Sequence, residues 1–128
     1  MRPNGHVFQL YRVAEEGPFW WRLLSPNGRG VARCVEGSPS SDEARASIRE
    51  VVEHIDALSP VLRVEAGFRW RWMLEQDGVA IVQGVGDHDR RVRCDQAWRR
   101  FVLVAPIATV DNTALLFRRG ARRPITIE

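Results

Sequence analysis

Lysine is absent from this sequence: all 19 of its basic residues are arginine. Arginine-only usage reflects coding bias before it reflects any ligand, and a guanidinium forks onto carboxylates and phosphates wherever it lies. Cysteine is scarce too. Cys34 and Cys94 stand sixty positions apart with no CxxC spacing, which excludes a disulfide scaffold and predicts two reduced, mostly buried thiols. No apolar run approaches the roughly 20 residues needed to span a bilayer, and MRPNGHVFQLYR lacks the apolar core of a leader. A cytoplasmic protein without a membrane partner is the expectation.

What the chain does contain suits one compact domain over residues 1–128. It has 45% apolar and 27% charged residues, the balance of an ordered globular protein. Charge is uneven along it: residues 1–57 carry 7 arginines against 8 acids, and residues 58–128 carry 12 against 8. The positive excess belongs to the second half.

Phe8, Leu10 and Arg12 alternate with Gln9, Tyr11 and Val13, as a strand with two unlike faces does. A second strand follows at Phe19 to Leu24, and Ser25-Pro26-Asn27-Gly28 supplies a turn before a third strand near Val31 to Val35. Gly37-Ser38-Pro39 breaks the chain. Ser40, with Glu43 three residues on, is a capping-box pattern that starts a helix running to about Leu58. Its apolar stripe is Ala44, Ile48, Val51, Val52 and Ile55, at spacings 0, 4, 7, 8 and 11.

Fifty residues later the order returns. Strands are expected at Val61 to Val64, Phe68 to Leu74 and Val79 to Gln83, with a turn at Gln76-Asp77-Gly78. Cys94, Trp98, Phe101, Val102 and Ala105 then repeat the same five spacings before Pro106 ends the segment. The reading is a tandem of two βββα units, repeat 1 at about 6–58 and repeat 2 at about 61–106, in an α+β fold. A shorter turn in the second copy aligns Trp21 with Trp72 and Leu23 with Leu74, and points Trp70, Trp72 and Leu74 inward with Arg69, Arg71 and Met73 outward. Residues 107–128 have no counterpart in the first half. They form either a hairpin of 114–117 with 124–127 or a short helix capped at Asp111 or Asn112.

FQLYR at 8–12, WRL at 21–23, NG at 27–28 and SSDEARASI at 40–48 are the stretches by which the chain resembles the YegP-like family of small prokaryotic domains. The resemblance covers most of 6–57 and, more loosely, 61–105. It implies βββα units that pair as homodimers when single and as a pseudo-dimer when tandem: one antiparallel sheet with two helices on one face. The family has no established activity, so the resemblance implies no catalytic residue.

Asp87-His88-Asp89 is the one cluster of potential metal ligands, and acids before a helix already have a reason in its positive end. No second His or Cys group stands at ligand spacing, so no metal or other cofactor is expected. His6 and His54 read as surface residues. Gly84-Val85-Gly86 lacks the third glycine and the lysine of a phosphate loop and reads as a turn. There is no GxSxG, and neither cysteine has a histidine nearby in sequence.

Trp21, Trp72 and Trp98 fall on the inferred core stripes. Trp20 does not, and with Arg22, Arg71 and Met73 it is expected on the sheet face opposite the helices, a mixed aromatic and cationic patch of the kind found at interfaces. Arg90, Arg91, Arg93, Arg99 and Arg100 of the second helix, with Arg118, Arg119, Arg122 and Arg123, form a second candidate surface for nucleic acid or another polyanion. Asp87, Asp89 and Asp95 dilute it. The expectation is a non-catalytic binding module with an unknown protein partner, monomeric as a pseudo-dimer or weakly homodimeric. Nucleic-acid binding is the alternative, and a small enzyme is a third class.

Overall fold

A computed structural model describes residues 5–128; Met1–Asn4, the start of the stretch inspected for a leader, lie outside the described residues. Strands β1 (Val7–Arg12), β2 (Trp20–Leu24) and β3 (Gly30–Cys34) precede helix α1 (Ser41–Glu53). Strands β4 (Ser59–Glu65), β5 (Arg69–Gln76) and β6 (Val79–Gly84) precede helix α2 (Arg91–Val104), and β7 (Thr109–Leu116) and β8 (Ile125–Thr126) close the chain. All eight strands join one sheet in the order β4-β5-β6-β3-β2-β1-β7-β8.

Alternation along the strands decides which face is covered. Phe8, Leu23, Ala32 and Gly84 are direct cross-strand partners in turn, Gly84 packs against Trp72, and Trp72 pairs with Leu62, which makes a single row over six strands. Because directly paired residues share a face, this row and its neighbours Leu10, Trp21, Cys34, Val82 and Leu74 line the side on which α1 and α2 pack. Trp21 donates its indole N–H to Ser47 Oγ on α1 at 3.1 Å, and the Trp72 ring lies 5.6 Å from that of Phe101 on α2. Gly84 leaves room for Trp72: a Cβ there would stand 2.6 Å from its Cε2 and 2.8 Å from its Cδ1.

α1 begins as its residues demand. Ser40 Oγ accepts from the Glu43 amide at 3.1 Å and lies 3.2 Å from the Glu43 carboxylate. α2 begins at Arg90, whose side chain makes no cap bond. Both helices tighten into one 3-10 turn, at Ile55–Ala57 and Ala105–Ile107. Thus α1 stops at Glu53 instead of running regularly to Leu58, while Ile55 keeps its buried place.

Five expectations need correction. The sheet is mixed and not purely antiparallel, because β7 leaves the helix layer beside the start of β1 and runs parallel to it, from Val7 opposite Thr109 to Arg12 opposite Leu116. The terminal hairpin forms, Leu115 with Thr126 and Leu116 with Ile125, but its first strand begins at Thr109. Asp111 caps no helix; its carboxylate accepts from the Thr113 amide and hydroxyl inside the strand, where the β1 register slips. His6 is buried, not at the surface: its carbonyl accepts the Thr109 amide at 3.1 Å, which draws it beneath β7. Trp98 is only half-buried; it packs against the core while its Nε1 donates to Asp95 Oδ1 at 2.9 Å.

Candidate binding surface

The face without helices follows from the same register. Gln9, Arg22, Arg33, Gln83, Met73 and Val61 are partners in turn across β1, β2, β3, β6, β5 and β4, one residue out of phase with the core row. Tyr11 pairs with Trp20 on one side of this row, and Arg63 pairs with Arg71 on the other. Trp20, Arg22, Arg71 and Met73 are therefore together on the uncovered side, each half-buried.

Arg22 is held in place. Its Nε and Nη2 donate to Gln9 Oε1 at 2.8 and 2.6 Å, and its Cζ lies 5.3 Å from the Tyr11 ring centroid and 5.0 Å from that of Phe117. Tyr11 and Phe117 meet edge to face at 5.8 Å. Burial pushes the Tyr11 phenol above its ordinary value, helped by the nearby Cys34 thiol. Beside them is an open depression of about 330 Å³ lined by Tyr11, Val13, Trp20, Arg33, Val35 and Gln83. Gly37 lets the Trp20 ring approach the backbone, since a Cβ there would lie 3.2 Å from Trp20 Cε2.

Charge on this side is only partly matched. Arg69 reaches Asp87 at 2.8 Å and Arg71 reaches Glu65 at 3.0 Å. None of the ion pairs among the described residues includes Arg22, Arg33 or Arg63. Residues that sequence reasoning missed are thus Tyr11, Arg33, Arg63 and Gln83. Their signal was the alternation itself: Arg33 sits between the inward Ala32 and Cys34, and Tyr11 follows the inward Leu10.

The second-half arginines do not join this surface. Arg90, Arg91, Arg93, Arg99 and Arg100 are exposed at or along α2, on the other side of the sheet. Arg91 lies over the Trp70 ring at 5.9 Å, and Arg99 lies over Trp98 at 4.7 Å while bonding Asp95 at 2.8 Å. Those donors hold the Asp95 carboxyl below the usual range. Arg118 pairs with Glu15 at 2.8 Å, and Arg119, Arg122 and Arg123 are exposed in the β7–β8 connection.

Asp87-His88-Asp89 is drawn apart. The Asp87 carboxylate accepts Arg69 Nε at 2.9 Å, which lowers its pKa, and His88 exchanges backbone bonds with Trp70 at 2.7 and 2.8 Å. Among the described residues no group of three or more His, Cys, Asp or Glu is placed to hold a metal ion. Both thiols are buried, and burial raises each above its ordinary pKa. No helix among the described residues is long and apolar enough to cross a membrane.

No family model matches the sequence, and no curated protein does. The fold does have solved counterparts. A UPF0339 protein from Shewanella oneidensis superposes with a TM-score of 0.69 over 93% of this chain and 98% of its own, at 14% identity. The protein yegP from E. coli does so with a TM-score of 0.63 over 92% and 97%, also at 14% identity. The fold is that of YegP. The YegP neighbour is described as a protein of unknown function, and at such identity the likeness fixes architecture and transfers no site residue.

Proposed function

We propose that the chain is a non-catalytic binding module and that the helix-free face of its sheet is the binding surface. The observation that carries this reading is the row Gln9–Arg22–Arg33–Gln83–Met73 with Tyr11 and Trp20 beside it, half-buried around an exposed Arg33 on the side that no helix covers. Aromatic and arginine side chains are enriched at interfaces because each combines apolar area with directed polar contact. The buried, protonated thiols favour binding over nucleophilic chemistry.

The module is a single domain of two fused βββα units arranged as a pseudo-dimer. Three sets of matched contacts support this. Val35 N donates to Ile81 O and Val85 N to Val31 O, each at 3.2 Å. Phe19 with Ser38, and Trp70 with His88, make the same pair of bonds at 2.7 and 2.8 Å. Trp21 and Trp72 occupy matching places, with Leu10 and Leu62 as their cross-strand partners.

A photo-crosslinking residue introduced at Arg33 in cells tests the reading against one introduced at Arg100. Adducts concentrated at position 33 are expected; adducts at position 100 alone would overturn it. The second reading, polyanion binding along α2, rests on the exposed Arg90, Arg93 and Arg100, which take part in none of the ion pairs among the described residues. Cytoplasmic location and self-sufficiency as a monomer belong to the same proposal.

A further inference from the structure

We propose that the helix-free face binds single-stranded nucleic acid, bases stacking at Tyr11 and Trp20 and phosphates meeting Arg33 and Arg63. This rests on the reading of that face as the binding surface and names its ligand.

Charge selects the sign of the partner. Asp87 offsets Arg69 and Glu65 offsets Arg71, which leaves Arg22, Arg33 and Arg63 without a carboxylate within ion-pair reach among the described residues. Glu75 on β5, opposite Ser59 and Ala80, is in none of the ion pairs among the described residues. A second copy of the chain would bring the same uncompensated arginines, so face against face it repels. A polyanion does the reverse.

Shape selects the single strand. Major-groove readers insert a helix or a narrow two-stranded ribbon, whereas this surface is a sheet eight strands wide. Such a platform suits an extended strand whose unpaired bases lie on aromatic rings while arginines follow the backbone. Strands stand ~4.8 Å apart, so the five steps from Tyr11 on β1 to Arg63 on β4 span ~24 Å, room for several nucleotides. Tyr11 and Trp20 meet at the open depression at one end of this path, beside Arg33.

A third aromatic marks the other end. Phe68, at the tip joining β4 to β5, is 83% exposed and holds φ at 58°, a conformation rarely tolerated by a bulky side chain. It directly precedes Arg69 and the strand bearing Arg71. An aromatic ring kept in water on strained backbone at the end of an arginine ladder is what a base would meet on leaving the sheet.

The test is anisotropy of labelled 12-nucleotide single strands, dT and U, titrated with the full chain from about 50 to 200 mM salt, with the matching duplex alongside. Affinity should fall with salt at about 0.7 logarithmic units per phosphate held. Arg33→Gln and Arg63→Gln should each weaken binding several-fold and flatten that slope by about one contact. Trp20→Leu should weaken it roughly tenfold with the slope unchanged, and Trp20→Phe should restore most of the loss. Arg93→Gln and Arg100→Gln should change nothing.

Absence of salt-dependent binding at the lowest salt would overturn the inference. So would tighter binding of the duplex, or losses confined to the α2 variants. Failure here with crosslinked protein partners at position 33 would sink the ligand assignment and leave the binding face standing; failure of both would remove the face as well.

Discussion

Arg33 on β3 stands directly opposite Gln83 on β6, where the first three strands meet the second three, and the two residues are fifty positions apart. Ala32 faces Gly84 and Cys34 faces Val82 around them. The spacing of the proposed duplication is therefore the spacing of the strand pair that joins the two sets of three, and both side chains point to the uncovered face. If the two units are joined there, one chain is complete alone. Light scattering of the purified protein should give the mass of a single chain at micromolar concentration; an obligate dimer would mean that the halves separate and re-pair between molecules.

Gly84→Ala should be among the most disruptive small substitutions in the protein. Its methyl would enter the Trp72 indole, which is buried and packed against Phe101 on α2. Overpacking of this kind costs about 1–3 kcal/mol. Gly78→Ala, where a Cβ meets nothing within 4 Å, carries only the penalty of φ +81°. Urea unfolding followed by tryptophan fluorescence compares them, and equal midpoints would contradict the packing described.

The helix starts are unequal, and the difference is correctable. Ser40→Ala removes the bond to the Glu43 amide and should destabilise by about 1 kcal/mol. Arg90 occupies the same place before α2 with φ −134° and ψ 143°, extended backbone that serine adopts readily, and caps nothing. Arg90→Ser should stabilise by about 0.5–1 kcal/mol in the same unfolding measurement. A destabilised variant would show that Arg90 serves α2 in another way.

Asp87 predicts the direction of an acid response. Arg69 lowers its carboxyl pKa in the folded state, so the unfolded chain takes up the proton first and the contribution to stability is present above the unfolded value. That contribution is lost as pH falls through the lower, folded value. A carboxyl NMR titration should place Asp87 below an ordinary aspartate, and Arg69→Gln should move it back upward; an unmoved midpoint would refute the pairing.

The thiols give a check on burial. Cys34 and Cys94 are enclosed and their pKa values are raised, so alkylation near neutral pH should be slow in the native protein and fast in urea. Rapid native labelling of either would place that residue at the surface.

Much of this architecture is legible in the amino-acid order, because the relevant forces are local. The stripe Ala44, Ile48, Val51 and Ile55 is buried as its spacing requires, and alternation in β5 puts Trp72 and Leu74 inside with Arg71 and Met73 outside. Long-range choices are not encoded in periodicity. Nothing in TVDNTALL says that its partner is VFQLYR or that the two run parallel, and the burial of His6 depends on that partnership. The candidate surface was half visible for the same reason. Arg22 and Trp20 announce themselves by facing away from Trp21, but joining them to Arg33 and Arg63 needs the register of four further strands.

The parallel pairing of β1 with β7 also governs when the molecule can finish forming. Residues 7–12 leave the ribosome roughly a hundred residues before their outer neighbour, Thr109–Leu116, is synthesised. Until then β1 exposes a bare row of peptide groups, a template for mispairing between nascent chains. Translation that pauses before Thr109 prolongs this exposure, and truncation there makes it permanent.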